Sequence, residues 1–442
     1  MDTLSQLRNG TLAGSKRLDL SCGLTQFPDE IYELADTLEI LNLSGNALTA
    51  LPDDLPRLQK LRVIFCSDNS FTELPKVLGR CENLQMIGFK SNKIRYLYKE
   101  SLPAKLRWLI LTDNQLEVVP PELGQCHRLQ KLMLAGNRLR HLPEEIADCR
   151  NLELLRISAN RFDSLPEWLL SLPRLAWLAF AGNPFSDVAE LAAKQVISRI
   201  DWQHIDLKHK LGEGASGVIH QADWQSAPGS AVAIKLFKGA VTSDGWPRSE
   251  KAACLAAGVH PNLIAATGKL SGHPDGVKGL VMPLVDASFK NLAGPPSLTS
   301  CTRDVYPAES TFSLTVAISM AKGIAAAVEH LHRQGILHGD LYAHNMLWNG
   351  QGDCLLGDFG AASFIPYERH APSLQRLEVR AFSCLLEELL ERSVVTPNEQ
   401  ATMDALWELQ RRCAQSEVNA RPLFAEIGQS LQSVQVRAMA LH

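Results

Sequence analysis

The 442 residues predict two structural classes in one chain: an α/β solenoid of short parallel strands, then an α+β domain. Two observations carry this reading. A pattern of leucines closed by an asparagine recurs every 22 or 23 residues through the first half. Past residue 204 that period disappears, and a glycine-rich turn among β-rich stretches is followed by ordered polar motifs.

Composition narrows the function classes. Hydrophobic residues make up 45% and charged residues 21%, the balance of globular chains and not of disordered ones. A formal charge of -4 gives no reason to expect nucleic acid or a membrane surface as the main partner. The N-terminal stretch MDTLSQLRNGTLAGSKRLDLS lacks the apolar run of a secretory signal. No uncharged apolar stretch approaches the roughly 18 residues that cross a bilayer. Of ten cysteines, Cys81, Cys126 and Cys149 share one phase of the repeat, which marks a buried slot for a small side chain and not a disulfide framework. A reducing, cytoplasmic setting follows as the expectation.

The solenoid is read from LEILNLSGNAL, LRVIFCSDNSF, LQMIGFKSNKI, LRWLILTDNQL, LQKLMLAGNRL, LELLRISANRF and LAWLAFAGNPF. These fit L-x-x-L-x-L-x-x-N-x-L, with asparagines Asn46, Asn69, Asn92, Asn114, Asn137, Asn160 and Asn183. A shorter copy opens the series with Cys22 near the asparagine position. Over about residues 15–186 the chain resembles leucine-rich repeat proteins, whose fold is a horseshoe. Each strand turns its leucines inward, the asparagine satisfies backbone groups at the bend, and stacking supplies the core that one repeat lacks. Pro28, Pro52, Pro75, Pro120, Pro143 and Pro166 fall in the returning segment, where no ladder N–H is needed.

Strand positions flanking the inward leucine should face the concave surface. One column reads Ile40, Val63, Met86, Trp108, Lys131, Leu154 and Trp177. Its neighbour reads Asn42, Phe65, Gly88, Ile110, Met133, Arg156 and Ala179. So many apolar groups on an exposed face predict a binding surface for a protein substrate or regulator, with docking inside the chain as one form of it. Residues 187–204 read as an amphipathic helix capping the solenoid. The expected organisation is a repeat domain over 1–186, a capping linker over 187–204 and a second domain over 205–442.

The second domain opens with LGEGASGVIHQA, in which Gly212, Gly214 and Gly217, followed by Val218, fit G-x-G-x-x-G-x-V. A β-rich stretch then ends in VAIK, Val232 to Lys235. Further on, ILHGDLYAHNML sets His338, Asp340 and Asn345 in H-x-D-L-x-x-x-N, and GDFG supplies Asp358. CAQSEVNARPLFAEI closes the series with Arg421-Pro422. These ordered motifs resemble the protein kinase family over about residues 205–435, with its bilobal α+β fold. The compact second half and Leu-Pro-rich repeats suggest a bacterial leucine-rich repeat kinase.

The resemblance implies roles. ATP phosphates would lie under the glycine turn, with Ser216 at its tip. Lys235 would hold the α- and β-phosphates, partnered by Glu250. Asp358 and Asn345 would bind Mg²⁺ through hard oxygens, and Asp340 would accept or orient the proton of the attacking hydroxyl. Ala233, Met282 and Val285 would border the adenine, with Pro283 standing where many kinases have Glu.

The pattern also departs from the family. Gly339 replaces the arginine that usually pairs with a phosphorylated activation segment, and that segment is nearly missing. Glu368 in Pro366-Tyr367-Glu368 stands as the nearest partner for Arg421. Tyr342 and His344 leave Ser/Thr against Tyr specificity open. Residues 291–313 read as a surface excursion, with Arg303 or Asp304 at the acceptor as the alternative. The favoured function is a Ser/Thr-type protein kinase. A pseudokinase scaffold and a small-molecule kinase, suggested by HGDL, are the alternatives.

Overall fold

A computed structural model of the chain describes residues 2–192, 198–225, 231–239 and 241–439. It forms two compact units that divide between Leu172 and Pro173. The last repeat therefore belongs with the C-terminal unit, and not with the other repeats as the boundary at residue 186 expected.

In the N-terminal unit, a short helix α1 (Thr3–Arg8) is capped by Asp2, whose Oδ1 accepts the Ser5 N–H at 2.7 Å. Seven three-residue strands follow: β1 (Arg17–Asp19), β2 (Ile40–Asn42), β3 (Val63–Phe65), β4 (Met86–Gly88), β5 (Trp108–Ile110), β6 (Lys131–Met133) and β7 (Leu154–Arg156). They pair parallel and in register, so that Leu41, Ile64, Ile87, Leu109, Leu132 and Leu155 form one buried row. Pro28, Pro75, Pro120, Pro143 and Pro166 each precede a 3₁₀ turn on the return path.

The asparagines bind the repeats together. Asn137 Nδ2 donates to Leu111 O at 2.8 Å and Leu134 O at 2.9 Å, and its Oδ1 accepts Leu116 N–H at 3.0 Å. Each amide thus satisfies backbone groups of its own repeat and of the one before. The residue preceding the asparagine is left-handed throughout: Gly45, Asp68, Ser91, Asp113, Gly136 and Ala159 all have positive φ.

The flanking columns are less exposed than period-2 alternation predicts. Val63, Met86, Lys131, Leu154 and Arg156 are buried, while Phe65, Trp108, Ile110 and Met133 are half-buried. Strand spacing near 4.8 Å brings equivalent side chains of adjacent repeats into contact. Trp108 Nε1 donates to Met133 Sδ at 3.4 Å, Lys131 Nζ lies 4.5 Å over the Trp108 ring, and Phe65 closes over Gly88.

The C-terminal unit starts with the last repeat strand, β8 (Trp177–Ala179), and a helix α2 (Pro184–Ala192). The expected helix over 187–204 is thereby corrected: it begins earlier, residues 193–197 lie outside the described residues, and Arg199–Asp201 is a strand, β9. Its outward–inward–outward pattern buries Ile200 among Ile205, Ile234, Leu270 and Val281. The sheet continues with β10 (Ile205–Glu213), β11 (Gly217–Trp224), β12 (Ala231–Phe237), β13 (Gly268–Ser271) and β14 (Gly279–Pro283), in the order β10-β11-β12-β14-β13-β9. Helix α3 (Pro247–Ala256) lies between β12 and β13 in sequence.

The rest of the unit is mainly helical. Short strands β15 (Lys290–Asn291), β16 (Phe312–Ser313), β17 (Ile336–Leu337), β18 (Met346–Trp348), β19 (Cys354–Leu356) and β20 (Ser363–Phe364) surround α4 (Leu314–Arg333) and α5 (Ala371–Glu391), followed by α6 (Gln400–Cys413) and α7 (Phe424–Met439). Helix α4 is long and apolar enough to span a membrane by length and composition, yet 56% of its most apolar window is buried inside the unit. That burial is the signature of a core helix. Strand β8 packs on α5, which is why the last repeat divides with this unit.

Two sequence expectations fail here. Residues 291–313 are not a surface excursion: Cys301 and Thr302 are buried, and Gly294 pairs with Val305. Arg303 is tied to Glu387 and Glu388 of α5 at 2.8 Å each. Glu368 is exposed, and Arg421 instead donates to the carbonyls of Gln415, Arg376 and Pro173 at 2.8, 3.0 and 2.7 Å. All ten cysteines are free thiols, and Cys22 alone is exposed.

The asparagine bonds generate a stability prediction. Asn137→Ala removes three hydrogen bonds. Leu111 O and Leu134 O keep Asn114 and Asn160 as donors, but the Leu116 N–H is left bare. At about 1 kcal/mol for each lost bond, the repeat unit is expected to lose roughly 3 kcal/mol. Urea unfolding should show a lowered midpoint. A loss under about 1 kcal/mol would show that these bonds do not hold the repeats.

Candidate active site

The site is built from the sheet outward. Strands β10 and β11 meet at a tight turn in which Gly214 N–H bonds Gly217 O at 2.9 Å. Residue 217 has to be glycine, since a Cβ there would stand 2.5 Å from Leu236 O. Glu213 anchors the turn: Lys238 Nζ reaches its Oε1 at 2.6 Å and Gly214 O at 3.1 Å, and Lys210 holds the other carboxylate oxygen.

Alternation along β12 sorts the next residues. Val232 and Ile234 face the sheet core, whereas Ala233 and Lys235 face the opposite side, with Ala233 beside Met282 in register. Lys235, itself half-buried, forms an ion pair with the buried Glu250 of α3. Burial opposes the Lys235 charge, but Glu250 and Asp358 outweigh it and raise its pKa above the ordinary lysine value. Burial, with the nearby Asp358, pushes the Glu250 carboxyl up against the pull of Lys235. The pair is held as ions inside the fold because each supplies the other's counter-charge.

Below the sheet, residues 338–345 form a polar loop. Asn345 Nδ2 donates to Asp340 Oδ2 at 2.7 Å and to Asp340 O at 3.0 Å, fixing the carboxylate. His338 accepts Asp340 N–H on Nδ1 at 3.3 Å and meets Gly357 O through Nε2 at 2.8 Å, so it links this loop to the strand that delivers Asp358. Asp358 is left-handed, with φ 53°, and its Oδ1 accepts Gly360 N–H at 3.1 Å. The loop hangs from Glu378 of α5, whose Oε1 accepts Gly339 N–H at 2.6 Å and whose Oε2 meets His332 Nε2 at 2.7 Å. Burial works against this charge, yet His332, His338 and the Gly339 N–H together keep the Glu378 pKa below the ordinary carboxylate value.

A cleft of about 380 Å³ collects these groups; Gly214, Ser216, Lys235, Glu250, Asn345 and Asp358 line it, and Met282 closes one side. The structure thus brings Ser216, Lys235, Glu250, Asn345 and Asp358 to one cavity. Gly212, Val218, Ala233, Val285 and Asp340 do not line it; Asp340 is reached through Asn345, which does. For Val218 the reason is the strand period: Gly217 and Ile219 face the cleft, and Ile219 sits opposite Lys235 in register, so the apolar wall predicted at Val218 is Ile219. Ala233 shares the Lys235 face and pairs in register with Met282, but does not itself line the cleft.

Several contributors were not legible from the motifs. Asp244 lines the cleft beside Gly360. His344 lines it too, and is fastened by Asp304 of the 291–313 segment, whose carboxylate accepts His344 N–H at 3.1 Å and meets Nδ1 at 2.7 Å. Asn291 Nδ2 also donates to His344 O at 2.9 Å. That segment therefore braces the loop from the side. Glu378 had one sequence signal, a lone carboxylate within the apolar run LEVRAFSCLLEELL.

Comparison with known proteins agrees with this geometry. The family model described as protein tyrosine and serine/threonine kinase matches residues 205–380. Leucine-rich repeat models match 37–58, 104–162 and 127–185. The chain is 26% identical over 269 residues to the tyrosine-protein kinase transforming protein Abl of Abelson murine leukemia virus, covering 52% of this chain and 34% of that protein. It is 28% identical over 202 residues to the proto-oncogene serine/threonine-protein kinase mos of Rattus norvegicus, covering 45% and 58%. With the probable serine/threonine-protein kinase gdt4 of Dictyostelium discoideum it shares 32% over 153 residues, covering 35% and 8%. The chain thus spans less than two thirds of each of these relatives.

The Glu378 carboxylate yields a pH prediction. Its folded pKa is lowered from 4.5, so its contribution is fully present above that value and is lost as pH falls through the lower folded value. Glu378→Gln should destabilise the C-terminal unit by about 2 kcal/mol at neutral pH, the scale of a charged hydrogen bond. The gap to wild type should shrink below pH 4.5. Thermal melts in which the gap stays constant as pH falls from neutral to well below 4.5 would refute the assignment.

Proposed function

Because the chain joins leucine-rich repeats to a protein kinase domain, we propose that it transfers the γ-phosphate of ATP, with Mg²⁺, to a protein hydroxyl, serine or threonine ahead of tyrosine. One observation carries the reading: the Lys235–Glu250 pair, Asp358 and Asn345, which holds Asp340 beside it, line a single cleft under a glycine turn. Phosphoryl transfer is stabilised mainly by positioning and by positive charge around the phosphoryl oxygens, and these groups supply both.

In this reading Gly214, Ser216 and Gly217 cover the phosphates while Lys235 holds them. Asp340 takes or orients the acceptor proton. The donor set suits magnesium: Asn345 commits its Nδ2 to Asp340, which leaves its amide oxygen, a hard ligand, beside the Asp358 carboxylate. The cation would neutralise charge on the phosphates.

The repeats would recruit a substrate or regulator through the half-buried Phe65, Trp108, Ile110 and Met133, since Val63, Met86 and Leu154 are too buried to take part. A cytoplasmic setting fits the free thiols. The short stretch between Asp358 and α5 favours a second reading, a nucleotide-binding scaffold without transfer. It equally suits a kinase for a small molecule, since it offers little surface for a peptide.

Purified protein added to cell lysate with labelled ATP and magnesium separates the three. Label should enter protein bands, and chelation of the magnesium should stop transfer. Lys235→Ala and Asp358→Ala should each lose two or more orders of magnitude, about the scale of one removed electrostatic stabiliser. Equal transfer by wild type and Asp340→Ala would eliminate catalysis by this site, and label found only in the soluble fraction would point to a small acceptor.

A further inference from the structure

The last repeat strand lies on the loop that carries Asp340. Trp177 is buried, stacks on Tyr342 at 4.2 Å with 6° between the rings, and donates its indole N–H to Leu341 O at 3.1 Å. Leu341 adjoins Asp340, and the Tyr342 N–H returns to Asp340 O at 2.9 Å. One residue after Trp177, Leu178 O comes so near Gly339 that a Cβ would stand 2.8 Å from it and 2.5 Å from Ala361 O. Gly339 is also left-handed, with φ +73°. Phe180 N–H then bonds the buried Ser363 hydroxyl at 3.0 Å, in the strand that follows Asp358. Helix α2 continues onto that strand and onto α3, which bears Glu250.

In the other repeats this strand position faces its equivalents in neighbouring repeats. Here it is given over to peptide units on either side of Asp340. We propose that Trp177 is a positioning residue for phosphoryl transfer: the terminal repeat holds the Asp340 loop in its working geometry, the task for which the stretch after Asp358 is too short. The glycine at 339 is the condition of that fit, since any side chain there would push the repeat strand away. The inference rests on the kinase reading above, and it makes the terminal repeat part of the catalytic apparatus.

Full-length variants test it. A displacement of about 1 Å in a reacting group can lower a rate by about 100-fold, so Trp177→Ala should cut kcat by about 10- to 100-fold. The KM for ATP should stay within about twofold, because neither Trp177 nor Tyr342 lines the cleft. Trp177→Phe keeps the stack without the N–H and should lose only about a third of that effect on a logarithmic scale, while Tyr342→Leu should match Trp177→Ala. The double variant should be no slower than either single one, as expected for a coupled pair. Wild-type kcat in Trp177→Ala, or an equal fall in ATP affinity and kcat, would overturn the proposal. If Trp177→Ala loses its cooperative melt, Trp177→Phe and Tyr342→Leu decide: unchanged kcat in both overturns it. No transfer by wild type would remove this proposal together with the kinase reading, whereas an active wild type with silent substitutions removes this one alone.

Discussion

A single buried carboxylate sets the terms for the C-terminal unit. Glu378 sits in the middle of α5, out of reach of solvent, and it can remain charged there because its two oxygens are met by His332 and by the Gly339 N–H. An unmatched charge at that depth would be strongly destabilising. Helix α5, the end of α4 and residues 338–345 must therefore sit in one arrangement. That arrangement fixes where His338 points, and His338 in turn ties the Asp340 loop to Gly357, next to Asp358. Asp358 in the cleft and Asp340 beside it are thus placed by a carboxylate that does not line it.

The same economy of means appears in the repeats. An asparagine amide offers two donors and an acceptor, enough to close a bend and to clasp the preceding repeat. Repetition of that group turns a series of three-residue strands, each too short to be stable alone, into a continuous sheet. At the end of the series the inward leucine row and the tight bend persist, but the flanking tryptophan meets a different surface. Asp304 braces His344 from another direction, so the loop bearing Asp340 is held by the repeat strand, by α5 and by the 291–313 segment.

Local chemistry decided what could be read in advance. The repeats are legible because each one carries its own leucines and bend, most with the proline (Tyr98 takes its place after Asn92), and the structure reproduces that order strand by strand. Lys235, Glu250, Asp340, Asn345 and Asp358 were found through short strings in a fixed order, and the fold gathers them. What escaped depends on distant partners. Arg199–Asp201 becomes a strand only because Lys269–Ser271 lies beside it, and read alone it continues a helical pattern. Asp304 and His344 meet by folding, with no motif to announce the pair. Val218 was a smaller failure: the strand period places Ile219 on the cleft side, and alternation could have shown this. The burial of Arg421 against carbonyls, with its pKa pulled down to about 10 by desolvation, has no sequence signal at all.

Strand β9 carries a practical lesson. The kinase match begins at residue 205, a natural place to cut when preparing the C-terminal half by itself. Such a fragment would lack Arg199–Asp201, leaving the N–H and C=O groups of Lys269–Ser271 bare along one side and uncovering the apolar cluster that Ile200 completes. Unprotected sheet borders recruit other chains. Aggregation on expression of that truncated piece would therefore reflect where it was severed and would say nothing about the foldability of the native protein.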